Sequence, residues 1–207
     1  ERVGYLPKSR RLLLTVPTEI RYPSGGVDCA RGEWDLEAGG GWFVGDSASL
    51  ARFRDGDLVV TGDSLALTDS LGVARGRVLL TDTVGTYRLG GNAVDFEREA
   101  DGEAGQVAMR GEAFAWLNEG DAPLLVQGPT ITIATDSALQ RTLFAGDGAA
   151  LYSDEVTGAA EQLAWSEREG RVDLEGAPVL WSGSDQLTGD SVRLFLRDGA
   201  ADRLEVR

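Results

Sequence analysis

The sequence contains no histidine, one cysteine (Cys29) and one lysine (Lys8). Without histidine, the Ser-His-Asp and Cys-His nucleophilic arrangements and the histidine-based metal sites cannot be built. A single cysteine also excludes an intramolecular disulfide and a cysteine-rich zinc site. We therefore predict a protein that is not an enzyme and that holds no metal ion and no cofactor.

Long hydrophobic runs and positive charge are scarce as well. No run approaches 18 apolar residues, and the stretch 12–16 is too short to span a membrane or to form the core of a signal peptide. The chain carries 34 acidic and 20 basic residues, which gives a formal net charge of -14. We set nucleic acids aside as partners, because their binding depends on clustered lysine and arginine.

Glycine, in contrast, is abundant: the chain has 28, about twice the usual share. Many of them occupy one recurring pattern, which is an apolar residue, any residue, glycine, two residues, apolar, any, apolar. The stretch 60–67 (VTGDSLAL) shows it best. Further copies centre on Gly45, Gly76, Gly91, Gly111, Gly128, Gly146, Gly158, Gly176 and Gly189.

The apolar residues of each copy alternate with polar ones on either side of the glycine, which is typical of a strand with one buried face. Across the glycine the apolar residues are five positions apart, an odd number that would place them on opposite faces of a regular strand. A bulge or kink at glycine returns both halves to the same interior. The pattern predicts an all-β fold, an antiparallel two-sheet V-shaped β-jelly-roll of repeated Gly-kinked strands.

All-β folds of 207 residues are often single units, so we predict one domain over residues 1–207. Its first part, 1–43, contains Pro7, Pro17 and Pro23 and is expected to form irregular N-terminal strands. The Gly-centred strand repeats follow over 44–207. Turn signals such as 54–57 (RDGD) and 169–170 (EG) fall between copies, so successive strands are expected to be antiparallel neighbours.

Three segments near the C-terminus carry a family resemblance. The stretches 175–181 (EGAPVLW), 185–192 (DQLTGDSV) and 198–204 (DGAADRL) closely resemble the OstA-like proteins of lipopolysaccharide transport. The earlier segments 60–65 (VTGDSL) and 89–94 (LGGNAV) look like further copies of the same strands. The resemblance extends from about residue 44 to the C-terminus.

This resemblance implies a periplasmic β-jelly-roll whose interior receives the acyl chains of lipopolysaccharide or a related glycolipid. It further implies that the open ends join other jelly-roll transport proteins by edge-strand addition, with a head-to-tail homo-oligomer as one possibility. The resemblance leaves open whether the chain is the bridge component, a translocon domain or an inner-membrane-anchored relative.

The predicted lipid-binding residues are the apolar members of the pattern that follow the glycine, together with their alternating neighbours. They are expected to face inward and to line the groove: Leu65, Leu67, Val94, Phe96, Phe114, Trp116, Ile131, Ile133, Leu163, Trp165, Val179, Trp181, Val192 and Leu194. The same alternation is equally expected of an ordinary closed core.

Two other classes of function fit the same pattern. A structural β-repeat scaffold or surface adhesin would have a closed, dry interior. A carbohydrate-active jelly-roll would place exposed tryptophans beside paired acids, and clusters such as Asp82, Asp95 and Glu97 are compatible with a carboxylate pair or a cation site. No calcium-loop spacing is present, and the acids are expected to lie in solvated turns.

Overall fold

The computed structural model of the protein describes residues 3–82, 87–97, 105–119, 122–197 and 200–207. Every regular element in these ranges is a β-strand, and the strand pairings are antiparallel. The described residues include no helix long and apolar enough to cross a membrane. The predicted all-β antiparallel fold is confirmed.

The chain divides into two compact units, which are described separately. Unit 1 comprises Glu1–Val84 and Gly91–Val107, and unit 2 comprises Gly85–Gly90 and Ala108–Arg207. Two strands, β11 (Tyr87–Glu97) and β12 (Gln106–Glu119), contribute residues to both. The single domain over 1–207 stays a prediction.

Unit 1 contains two antiparallel sheets that share one strand. Besides residues of β11 and β12, this unit contains β1 (Val3–Leu6), β2 (Arg11–Leu14), β3 (Thr18–Tyr22), β4 (Gly25–Cys29), β5 (Arg31–Asp35), β6 (Gly40–Val44), β7 (Ala51–Asp55), β8 (Leu58–Gly62), β9 (Ser64–Leu67) and the shared strand β10 (Leu71–Asp82). Sheet I has the order β1-β2-β5-β6-β9-β10 and sheet II the order β3-β4-β7-β8-β10. Residues 72–75 of β10 pair in sheet I, and residues 79–82 pair in sheet II.

This order shows that the chain changes sheet at the predicted bends at Gly45, Gly62 and Gly76. Strand β8 lies in sheet II and its continuation β9 lies in sheet I, with the bend at Gly62 and Asp63. Strand β10 makes the same change without interruption at Gly76. Backbone hydrogen bonds connect the bends, because Asp63 N–H donates to Gly76 O at 2.8 Å and Gly45 N–H donates to Asp63 O at 2.9 Å. The bends of neighbouring strands are therefore in register.

The first 43 residues are more regular than expected. Strands β2 and β3, and then β4 and β5, are successive halves of bent strands that change sheet in the same way as the later ones. The β4–β5 bend lies at Ala30, whose N–H donates to Val44 O at 2.9 Å. This bend has no glycine at its centre, so it is not among the Gly-centred copies.

Unit 2 repeats this architecture with its own pair of sheets. Its strands are β13 (Ala122–Thr135), β14 (Arg141–Gly146), β15 (Ala149–Tyr152), β16 (Thr157–Ala160), β17 (Gln162–Ser166), β18 (Arg171–Glu175), β19 (Val179–Ser182), β20 (Asp185–Thr188), β21 (Ser191–Arg197) and β22 (Ala200–Val206). Sheet III has the order β13-β14-β17-β18-β21-β22, and sheet IV has the order β13-β15-β16-β19-β20. The long strand β13 belongs to both.

The bends are of two kinds. At Gly62, Gly91 and Gly128 the flanking inward residues are five positions apart, as predicted, and φ of the glycine is not positive. At Gly76, Gly111 and Gly176 the glycine and the next residue both have positive φ. The buried residues there are four positions apart: Ala74 and Val78, Met109 and Ala113, Leu174 and Pro178. The predicted inward positions after these three glycines are therefore shifted by one.

Candidate functional site

The interior face of sheet III consists of two unbroken rows of apolar side chains that cross all six strands. Cross-strand pairing links the first row as Ile133, Leu143, Trp165, Val172, Leu194 and Leu204. It links the second as Ile131, Ala145, Leu163, Leu174, Val192 and Val206. Alternation along each strand turns these side chains to one face, and no charged residue interrupts either row.

Sheet IV faces these rows with an apolar row of its own. Pairing links Val126, Leu151, Gly158, Leu180 and Leu187. The two sheets approach each other closely at Gly158, where a Cβ atom would lie 3.7 Å from Leu174 Cδ1 of sheet III. The interior of unit 2 is thus an apolar space between two sheets that meet along a line of bends.

This interior is covered in its middle and exposed at one end. The first five members of each sheet III row are nearly inaccessible to solvent, whereas Leu204 is 38% and Val206 40% exposed. Both lie on β22, which pairs only with β21 among the described residues. The apolar rows therefore run out into solvent at the edge strand.

Unit 1 has an interior of the same kind. Ile20, Val27, Phe53, Val60 and Leu80 form a row across sheet II, in which only Ile20 on the edge strand β3 is partly exposed. The Phe53 ring lies 5.9 Å from the ring of Phe96, centroid to centroid. In sheet I, Leu14, Gly32, Phe43, Leu65 and Ala74 form the facing row. Aromatic side chains fill the centre of this interior.

Ten of the predicted groove residues are buried on the interior faces. They are Leu65, Leu67, Val94, Phe96, Ile131, Ile133, Leu163, Trp165, Val192 and Leu194. The prediction of an inward orientation is wrong for the other four, Phe114, Trp116, Val179 and Trp181. Trp116 and Trp181 are 43% and 40% exposed, and the buried residues beside the four are Ala113, Ala115, Pro178 and Leu180.

The bends at Gly111 and Gly176 cause this reversal. Glu112 and Ala177 follow these glycines with φ of 51° and 50°, so two consecutive residues adopt the left-handed conformation. The second residue shifts the alternation by one position relative to a bend at glycine alone. Every side chain after the bend then faces the side opposite to the one predicted.

An ion pair lies at the ends of β14 and β17 that point away from the bends. Arg141 Nη2 donates to Glu167 Oε1 at 2.6 Å, and Arg141 Nε donates to Glu167 Oε2 at 3.0 Å. The Arg141 guanidinium also lies over the Tyr87 ring, 5.4 Å from its centroid. Partial burial acts to raise the pKa of Glu167, but the hydrogen bonds and charge of Arg141 outweigh it and hold that pKa below its usual value. The carboxylate therefore stays charged well into the acid range.

Two open cavities lie on outer sheet faces, where the sequence pattern did not predict them. One of about 250 Å³ lies on sheet III beside Thr132, Phe144 and Ala164. The other, of about 610 Å³, lies on sheet II beside Arg52 and Thr61 and reaches the buried Cys29. Burial, with a contribution from Asp28, raises the pKa of the Cys29 thiol to about 11. The thiol is therefore protonated at neutral pH.

The acidic residues of the part of the chain that the structure describes do not gather into a metal site: no three of its cysteine, aspartate and glutamate side chains are grouped to hold an ion. Several acids serve turns instead. Asp46 accepts hydrogen bonds from the backbone of Ser49 and Ala48, and Asp35 from that of Ala38 and Glu37. These hydrogen bonds lower the pKa of each carboxyl.

Comparison with known proteins gives a structural match and no sequence match. No protein-family model matches the chain. No curated protein matches it either. The fold is similar to the crystal structure of LptH, described as the LptA homologous periplasmic component of the conserved lipopolysaccharide transport device from Pseudomonas aeruginosa.

The match to LptH has a TM-score of 0.51 at 23% sequence identity and covers 63% of this chain and 93% of LptH. The resemblance predicted from the Gly-centred segments is confirmed at the level of fold. This chain has the β-jelly-roll fold of the lipopolysaccharide-transport component LptH.

Proposed function

We propose that the protein is a non-enzymatic periplasmic carrier of lipopolysaccharide or a related glycolipid, whose acyl chains enter the apolar interior between two sheets. The observation that carries this proposal is the pair of apolar rows in unit 2 that end at the exposed Leu204 and Val206. In an ordinary core, the outermost apolar residues are covered by other parts of the chain. Rows that end in solvent offer a surface on which hydrocarbon can leave water.

The free energy gained by burying hydrocarbon is large enough for a carrier that catalyses no reaction. Burying hydrocarbon gains about 0.8 kcal/mol per CH₂, so one long acyl chain contributes on the order of 10 kcal/mol before ordering costs are subtracted. The interior rows offer only hydrocarbon and aromatic surface for this purpose, apart from the indole N–H of Trp165. Binding would therefore depend on the displacement of water and the fit of the chain.

The rival function is a structural scaffold with a closed core. The near-complete burial of residues such as Phe43, Leu89 and Val126 favours it, because these side chains already fill the space between the sheets. A carrier has to part its sheets or accept the chain at its ends. The two functions differ in what contacts Leu204 when glycolipid is present.

A photo-crosslinking amino acid separates these functions. We expect the residue at Leu204 to form an adduct with glycolipid when the protein is expressed in the periplasm of a didermic bacterium. The same photo-crosslinking amino acid placed at position 181 should give only background labelling. Trp181 is almost as exposed as Leu204, but it lies on the outer face of sheet IV. Mass spectrometry of the purified adducts is the measurement. Equal labelling of both positions, or none at Leu204, would favour the scaffold.

The edge strand β22 also suits assembly with a second jelly-roll. Its residues 200–206 pair with β21 on one side, and no described strand pairs with its other side, although Ala201 N–H donates to Glu155 Oε2 at 3.2 Å. Inward-facing Leu204 and Val206 are exposed beside this edge. An unpaired edge with apolar side chains is a template for strand addition. We propose that another jelly-roll transport protein, or a second copy head to tail, adds a strand here and extends the apolar interior.

The substitution Leu204→Lys tests this assembly. An inward-pointing charge on an edge strand opposes edge-to-edge pairing, so we expect the variant to stay monomeric at concentrations where the wild type associates. Glu205→Lys changes a neighbouring outward residue of the same strand and should leave association intact. Analytical ultracentrifugation over a concentration series measures both. Association of Leu204→Lys at wild-type strength would contradict a role for β22.

A further inference from the structure

Trp165 is a buried side chain whose polar atom has no partner. The residue is 3% exposed, and its buried indole Nε1 has no hydrogen-bond partner among the described residues. Its cross-strand neighbours, Leu143 and Val172, are apolar. Buried tryptophan N–H groups usually find an acceptor, and one without an acceptor is unfavourable. A donor in this position points to an acceptor that arrives with a ligand.

The position of Trp165 along its strand indicates which part of a ligand that would be. Strand β17 leaves the bend at Glu161, and Trp165 lies four residues further on, about 13 Å along the strand. Leu163, one inward step closer to the bend, is surrounded by apolar residues. Two residues beyond Trp165, just after the end of β17, lies Glu167, which is paired with Arg141. Trp165 therefore lies at the boundary between an apolar interior and a charged rim.

An amphiphile that enters this interior tail first would place the junction between its tail and its head group at the level of Trp165. The tail would lie toward Leu163 and the bend, and the head group would lie at the Arg141–Glu167 rim. The junction between them is the ester or amide that joins the acyl chain to the head group. Its carbonyl oxygen has two lone pairs, and the indole N–H can only donate. The two groups are complementary.

We propose that Trp165 Nε1 donates a hydrogen bond to the carbonyl oxygen of an acyl ester or amide, and that this bond sets how deep the chain enters unit 2. The inference rests on the proposed function, because it requires an acyl chain in the interior. It assigns to one residue a preference for acyl over alkyl chains. An apolar trough without this donor would bind both equally.

The test uses a pair of lipids that differ only at the linkage: palmitoyl lysophosphatidylglycerol and its hexadecyl ether analogue. We expect the wild type to bind the ester about fivefold more tightly, the value of one net hydrogen bond. Trp165→Phe keeps an aromatic side chain without the N–H and should bind both lipids alike. Trp181→Phe makes the same change on the outer face and should keep the preference. Isothermal titration below the critical micelle concentration measures all three proteins.

Equal affinity of the wild type for the two lipids overturns the inference, and so does an ester preference that survives in Trp165→Phe. If the wild type binds both lipids equally, the proposed function stands while the role of Trp165 fails. If it binds neither of them nor lipid A, both fail. Should Trp165→Phe not fold, the indole N–H resonance of the wild type decides: one of the five must shift downfield with the ester and not with the ether.

Discussion

Replacing Leu80 with alanine is expected to lower the free energy of unfolding by about 2–5 kcal/mol, whereas the same change at Leu79 should alter it by less than about 0.5 kcal/mol. Leu80 is fully buried on the interior face of sheet II, and Leu79 is 40% exposed on the outer face. The loss of buried methyl groups leaves a cavity only at Leu80. Urea denaturation of the two variants measures the difference.

This pair is a sharp test because the glycine pattern alone gives the opposite result. A bend at Gly76 with the predicted separation of five would bury Leu79 and expose Leu80. The left-handed conformation of both Gly76 and Arg77 produces the observed separation of four. A larger loss of stability in Leu79→Ala than in Leu80→Ala would contradict the observed bend.

Replacing Gly176 with alanine is expected to destabilise the protein by about 2–5 kcal/mol. Its φ is +79°, where a Cβ atom costs about 1–2 kcal/mol, and crowding in a packed region adds about 1–3 kcal/mol. The crowding arises because an added Cβ would lie 2.5 Å from Glu161 Cβ. Glu161 cannot withdraw easily, since its N–H donates to Gly176 O at 3.2 Å. Thermal or urea unfolding measures the loss.

Gly183→Ala is the matched control for this change. Gly183 also has positive φ, +58°, but an added Cβ would meet no atom within 4 Å. We expect it to lose only the conformational part, about 1–2 kcal/mol. If the two variants were equally stable, close contact between the bends of neighbouring strands would not contribute to the fold.

The fold could be predicted from the sequence because two independent features agreed: the recurring glycines indicated bends, and the alternation of apolar and polar residues indicated strands with one buried face. At Gly62 no large apolar residue stands between Val60, Leu65 and Leu67, so the buried face is unambiguous. Gly111 is followed by Ala113, Phe114, Ala115 and Trp116, an unbroken apolar run. Alternation cannot tell which face of such a run is buried. The sequence therefore does not determine which side chains face inward wherever the outer face also carries apolar residues.

An apolar residue two positions after the glycine, together with another at four, was the signal that could have corrected these bends. Val78 and Leu80 follow Gly76 in this way, as Pro178 and Leu180 follow Gly176. At Gly62 and Gly189 those positions hold Ser64 and Ala66, and Ser191 and Arg193, which leaves positions three and five as the larger apolar residues. Apolar residues at both positions two and four therefore mark the second kind of bend, whereas side-chain size does not, because the larger Phe114 and Trp181 stand at positions three and five.

The features of the candidate site that depend on the third dimension could not be predicted. Trp165 was expected to face inward, but the missing acceptor at its N–H depends on which residues surround it. The ion pair of Arg141 and Glu167 joins residues that are 26 positions apart, and neither belongs to the glycine pattern. The exposure of Leu204 and Val206 follows from the absence of a further described strand beyond β22, which no local pattern encodes.

Successive bent strands run antiparallel to one another, and this restricts how the apolar space between the sheets can change in length. Removal of one bent strand would make its two neighbours run in the same direction, which a short hairpin cannot connect. Removal of two consecutive ones keeps every remaining connection and shortens the apolar space by about 10 Å, two strand spacings. The length of the apolar space in this architecture is therefore set in steps of two strands, and homologous chains should differ by even numbers of them.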